Sequence, residues 1–218
     1  NTTLTVDYSG ASNAALNNQI SGVGALIKEG SGTVVMNAPG NTYSGGTLIG
    51  AGRLGLNYGD GLGTGLVQIN AGASLGLGDI SYANNTSGAG QIIKTSAGVT
   101  TLTGANTHTG GIDIQAGILD VSGNAALGTG TVTIGGGANL RYTNASASTF
   151  SNGLSGAGTF NKLGAGQLTF ANNFTLGALS LQSGRTRMNV VGTTNVFVNS
   201  GATLDGTGRI IGNLTNSG

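Results

Sequence analysis

Among the 218 residues there is no cysteine and no tryptophan, and proline and histidine occur once each. Without cysteine there is no disulfide framework, no thiolate metal site and no cysteine nucleophile, and redox chemistry leaves the compartment open, although the absence is compatible with export. Charge is equally scarce: 7% of residues are charged, against roughly 25% in an ordinary globular domain. The eight basic residues are scattered and the formal net charge is +1. The basic stripe with interleaved aromatics that nucleic-acid binding requires is missing, which excludes nucleic acid as a partner. No apolar run approaches the roughly 20 residues of a membrane-spanning helix. Asn1 to Gly10 is not a signal peptide, so any export signal or anchor is expected outside this stretch.

Glycine is abundant, with 44 residues. So much glycine without a period would suggest a disordered linker, but 38% of the chain is hydrophobic and Val, Ile, Leu and Thr are frequent, a composition that disordered segments lack.

Self-comparison finds one unit three times, as Gly22-Val-Gly-Ala-Leu-Ile-Lys28, Gly88-Ala-Gly-Gln-Ile-Ile-Lys94 and Gly156-Ala-Gly-Thr-Phe-Asn-Lys162, at offsets of 66 and 68. Asn41-Thr42-Tyr43-Ser44-Gly45-Gly46 returns as Asn106-Thr107-His108-Thr109-Gly110-Gly111, and loosely as Asn172-Asn173-Phe174. The repeats span 22–79, 88–144 and 156–208 of one continuous domain, 1–218. Within them a glycine stands between alternating apolar pairs, as in Ile112-x-Ile114-x-x-Gly117-x-Leu119-x-Val121, and alternation marks half-buried strands. That glycine falls at 32, 52, 72, 98, 117, 137, 166, 184, 201 and 218, with spacings of 20, 20, 26, 19, 20, 29, 18, 17 and 17.

A turn of about 20 residues with short strands, glycine corners and no amphipathic helix suits one coil of a solenoid, because a βαβ unit needs 30 or more residues. The fold expected is all-β, a right-handed single-stranded parallel β-helix of about ten coils with three short strands per coil, about 45 to 50 Å long. Ile49, Ile69, Ile114, Ile134, Leu181 and Val198 are expected to stack as one inward ladder. The Asn- and Ser-rich stretches Ser81 to Ser87 and Thr143 to Asn152, inside the two longest intervals, are expected to loop out. The chain opens on a strand, Leu4-x-Val6-x-Tyr8, and stops on Gly218 without a polar cap, so it reads as a fragment of a longer solenoid.

These residues resemble the passenger-associated transport repeat of autotransporters, whose pattern runs G-x-G-x-L-x-K-x-G-x-G-T-L-x-L, then N-T-Y-x-G-G-T, then G-x-L-x-L. The resemblance is best over 22–79, good over 88–142 and looser over 156–208, where Asn172-Asn173-Phe174 replaces the triplet and Leu176 replaces a glycine. The run from Gly201 to Asn213 looks like the end of a passenger, ahead of an autochaperone segment and an outer-membrane barrel. The resemblance implies a secreted or cell-surface protein of a Gram-negative bacterium that folds outside the cell from its C-terminal end. Its partners would be its own autochaperone and barrel, with self-association or host-surface adhesion as the alternative role.

Chemistry is harder to find. His108 falls where the other repeats have Tyr43 and Phe174, and reads as an aromatic substitute at a corner. The carboxylates Asp7, Glu29, Asp60, Asp79, Asp113, Asp120 and Asp205 form no close pair in sequence. Coil register should set Asp120 beside Arg141 and Asp205 beside Arg187, as exposed ladder ion pairs rather than a polysaccharide-degrading groove. Lys28, Lys94 and Lys162 are expected to face outward, about 14 Å apart along the axis. Gly59-Asp-Gly-Leu-Gly-Thr-Gly65 is only faintly similar to calcium-binding repeats, since one Asp stands alone. No G-x-G string opens a helix, which argues against a dinucleotide cradle. The reading is a stalk, not an enzyme, with no catalytic, cofactor-binding or metal-binding residue and no small-molecule substrate.

Overall fold

A computed structural model describes residues 2–217; Asn1 and the last marked glycine, Gly218, lie outside the described residues. The chain is a parallel β-solenoid: among the described residues there are 26 strands and one 3-10 turn, Asn124–Leu127, with every strand pairing parallel to a neighbour 17 to 22 residues away in sequence.

Each coil crosses three faces. The first holds Thr3–Asp7, Ala25–Glu29, Thr47–Ile49, Val67–Ile69 and Thr86–Gly88. It continues through two irregular passes tied by Thr109 N to Gly88 O at 2.9 Å and Thr129 N to His108 O at 3.0 Å. It ends with Ser148–Phe150, Gln167–Phe170, Gly184–Met188 and Ala202–Asp205. The second face is crossed eleven times, from Ala14–Leu16 through Ser74–Leu77, Gln91–Lys94 and Ile112–Ile114 to Arg209–Ile211. The third is formed by stretches without strand in the N-terminal coils, where Tyr43 and Leu62 point inward. From Ser81–Tyr82 to Leu214–Asn216 strands replace them.

The three repeats begin on three different faces. The lysine-bearing strand is Ala25–Glu29 on the first face, Gln91–Lys94 on the second and Thr159–Leu163 on the third. A repeat of 66 or 68 residues is therefore three coils plus one face. Two expectations change as a result. The single ladder from Ile49 to Val198 is three separate ladders: Lys28, Ile49, Ile69; Lys94, Ile114, Ile134; and Lys162, Leu181, Val198. The stretches expected to loop out stay in the coil. Ser81–Tyr82, Thr86–Gly88 and Ser148–Phe150 are strands, and Tyr82, Thr86, Phe150 and Asn152 are buried. The intervals of 26 and 29 residues are long because each holds a coil and one extra face. For the same reason ten marked glycines undercount the eleven coils.

Most corner glycines behave as the steric argument requires: Gly52 and Gly117 sit at φ 65° and 68°, a region L side chains rarely occupy. Gly32, the first mark of its repeat, instead meets a neighbouring coil, where a Cβ would stand 2.7 Å from the Gly10 carbonyl oxygen.

The core is a continuous column of inward side chains. Leu75 and Ile92, partners in register, are fully buried. Where the second repeat meets the third, Tyr142, Phe150, Phe160, Phe170 and Phe174 fill the interior with ring centroids 4.8 to 5.8 Å apart.

Candidate functional site

The three lysines do not face outward. Lys28, Lys94 and Lys162 are each 0% exposed, at the end of an inward rung where the chain turns a corner. Lys28 Nζ donates to the carbonyl oxygens of Glu29, Gly30 and Ala51 at 2.6, 2.7 and 3.2 Å. Lys162 Nζ donates to Leu163, Gly164 and Ser183 at 3.1, 2.6 and 3.0 Å. Lys94 Nζ donates to Ser96 O, to Ser96 Oγ at 2.6 Å and to Asp79 Oδ1 at 2.9 Å. An ammonium with three donors meets three acceptors in each case. Burial pushes Lys28 and Lys162 below the ordinary lysine value; for Lys28 the carboxylates of Asp7 and Glu29 oppose that push. Around Lys94, hydrogen bonds from Ser96 and Lys94 hold the Asp79 carboxyl below its usual range.

The asparagine of the Asn-Thr-aromatic triplet is a second internal bracket that sequence reasoning missed. Asn41 Oδ1 accepts from Ile20 N at 2.6 Å, and its Nδ2 donates to Gly61 O at 2.9 Å, so one side chain ties its coil to those before and after it. Asn106 repeats the arrangement, accepting from Thr86 N at 2.8 Å and donating to Ala126 O at 2.6 Å. In the third repeat two side chains make the ties and the sense is reversed: Asn173 accepts from Val191 N in the following coil at 2.8 Å, and Asn172 donates to Ser151 O in the preceding coil at 2.7 Å. The loosened motif is thus two asparagines sharing one role. At an exposed corner Asn17, Asn37 and Asn57 form a further ladder, with amide links of 3.0 and 2.9 Å.

His108 is 0% exposed, and neither ring nitrogen has a hydrogen-bond partner. It occupies the place of Tyr43 and Phe174, also buried, as the substitution pattern implied. Burial holds its pKa below the ordinary imidazole value, slightly opposed by the Gly111 backbone, which approaches without hydrogen-bond geometry. Burial likewise pushes the Tyr43 hydroxyl up to about 12, against a hydrogen bond with Thr47 Oγ1 at 2.7 Å.

On the outer faces the expected register pairs form. Arg141 Nη2 meets Asp120 Oδ2 at 2.5 Å and Arg187 Nε meets Asp205 Oδ1 at 3.4 Å; Arg185 joins the latter pair from the same strand. These groups are partly solvated, where an ion pair contributes about 0 to 1 kcal/mol. Asp120 lies on the third face and Asp205 on the first, four coils later, so the two carboxylates do not share a groove. Asp60 accepts from Gly40 N at 2.8 Å. Among the described residues no three or more His, Asp or Glu side chains gather as they would around a metal ion. The second face carries a trough of about 320 Å³ whose lining includes Arg53, Gly55, Gly76 and Ser96. The Arg53 guanidinium lies over Gly76, where a Cβ would stand 2.4 Å from Nε.

Comparison with protein families matches the passenger-associated-transport-repeat at residues 26–56 and 92–121, within the first two repeats. No curated protein and no solved structure matches the chain.

Proposed function

We propose, for a chain that carries the passenger-associated-transport-repeat, that it is a stalk segment of an autotransporter passenger, secreted or displayed on a Gram-negative cell. Coil-by-coil folding outside the outer membrane would support translocation, and the finished rod would hold a distal functional module away from the surface. The observation behind this reading is the unbroken stack. Leu75, Ile114 and Leu140 are 0% exposed, yet each belongs to a single coil with no core of its own, so the coils above and below supply its burial. In such arrays stability comes from nearest-neighbour interfaces. Each coil that docks makes the next one's burial possible, and backward sliding would have to undo it. The partners are the passenger's own C-terminal autochaperone segment and outer-membrane barrel. A scaffold rather than an enzyme fits a flank whose ion pairs follow the ladder and whose one histidine is sealed inside.

In the full-length passenger, V198D/L204D places carboxylates on inner rungs near the C-terminal coils. The proposal expects loss of surface display and of folded passenger. Unaltered display of a properly folded passenger would count against it.

A second reading, adhesion by self-association along the flank, is favoured by one feature. Ile27 and Leu48 stack outward on the first face, and Leu66 beside them is 53% exposed. Concentration-dependent sedimentation that L48E/L66E abolishes supports it, and a monomer at every concentration removes it.

A further inference from the structure

The rungs that follow the three lysines are interchangeable aliphatics: Ile49 and Ile69, Ile114 and Ile134, Leu181 and Val198. Aliphatic burial is non-directional. With coils of nearly equal length, a strand could dock on the wrong coil and still set aliphatic against aliphatic. A buried ammonium has no such freedom, because without acceptors it is strongly unfavourable in an apolar interior. Each lysine draws its acceptors from two coils. Its own corner supplies two, and the third comes from a neighbour: Ala51 O and Ser183 O in the following coil, Asp79 Oδ1 in the preceding one.

We infer that Lys28, Lys94 and Lys162 are register locks, one per repeat, each admitting only the stacking that brings one neighbouring coil's acceptor to its ammonium. Because the locks stand on three successive faces, together they fix the phase of the repeats around the axis as well as the order of the coils. A single polar residue buried in the apolar seam of a coiled coil specifies register in the same way, at a cost in stability.

The chain has no cysteine, so paired cysteines on outer faces report register cleanly. Ile93 and Asp113 are outward partners, and Thr133 is one coil further. I93C/D113C therefore reports the native stacking and I93C/T133C a skipped coil. Each pair is refolded from urea and oxidised, alone and with K94M. For Lys162 the corresponding pairs are N161C/S180C and N161C/F197C, combined with K162M. The control is I114M, a swap of similar size on a rung that has no polar group. The lock expects the lysine variants to lose native disulfide and gain the skipped one, while I114M keeps the native pattern. Absence of the skipped disulfide from both lysine variants, or its equal appearance in I114M, overturns the inference.

Discussion

Replacing Phe160 by alanine should be among the most damaging single truncations in the chain, and replacing Phe197 among the least. Phe160 is fully buried, and its ring centroid lies 5.8, 5.2 and 5.5 Å from those of Tyr142, Phe150 and Phe170. Its strand pairs with 139–143 on one side and 178–181 on the other, so the ring joins consecutive coils where the second repeat meets the third. Truncating a buried phenylalanine costs about 3 to 5 kcal/mol, and three aromatic contacts of about 0.5 to 1.5 kcal/mol each place Phe160 toward the upper end. Phe197 has the same side chain at an outward position two strands further along the stack and is 42% exposed; a surface change of that kind stays within about 0.5 kcal/mol. Urea unfolding followed by circular dichroism measures both. Because the coils form a linear array, F160A should also split the transition, the two sides of the break melting at different urea concentrations. A cost for F160A no larger than for F197A would refute the assignment of the aromatic column as the joint between repeats.

Acid should weaken the fold through His108. Its folded pKa is lowered by burial, so the stability it contributes is present above the unfolded value near 6.5 and is lost as pH falls below it, by up to about 1.4 kcal/mol per pH unit. Denaturant midpoints between pH 4.5 and 6.5 should fall in the wild type and stay flat in H108F. Alkali should act through Tyr43, whose raised value of about 12 gives stability present below pH 10 and lost as pH rises toward 12, on the order of 3 kcal/mol; in Y43F that share of the alkaline loss should be missing. N106A removes both halves of a buried bracket, and leaving Thr86 N and Ala126 O unpaired should cost about 2 to 4 kcal/mol by the same assay. Spin labels at Ile27, Ile93 and Asn161, the same outward position in three repeats, should be separated by more than the roughly 14 Å of three coils stacked on one face; spacings of that length would mean that the repeats do not rotate.

The solenoid was legible in the sequence because its signals are local. Alternation such as Val67-x-Ile69 marks the strands, and corner positions such as Gly52 need a residue that accepts φ 65°. Register followed from the same marks, and the Asp120 to Arg141 and Asp205 to Arg187 pairs form as the spacing implied. Phase did not follow, because a period of 66 residues is not a whole number of coils, and only the pairing of Gln91–Lys94 with Ser74–Leu77 reveals that the second repeat starts one face on. The buried lysines were missed because charge usually reports the solvent side. The contrary signal was present: in Leu26-x-Lys28, Ile92-x-Lys94 and Phe160-x-Lys162 the two-residue period sets each lysine on the same side as a core residue. The asparagine brackets carried no such signal, since their partners lie about 20 residues away on either side.

Native-state hydrogen exchange on these 218 residues taken by themselves tests the coil-by-coil account most directly. If each coil is stable only through its neighbours, amide protection should rise inward from both ends. It should be weakest in Thr3–Asp7 and Leu214–Asn216 and strongest in central strands such as Ile118–Val121 and Asn139–Thr143. Uniform protection from the first strand to the last, lost in one step with denaturant, would contradict it.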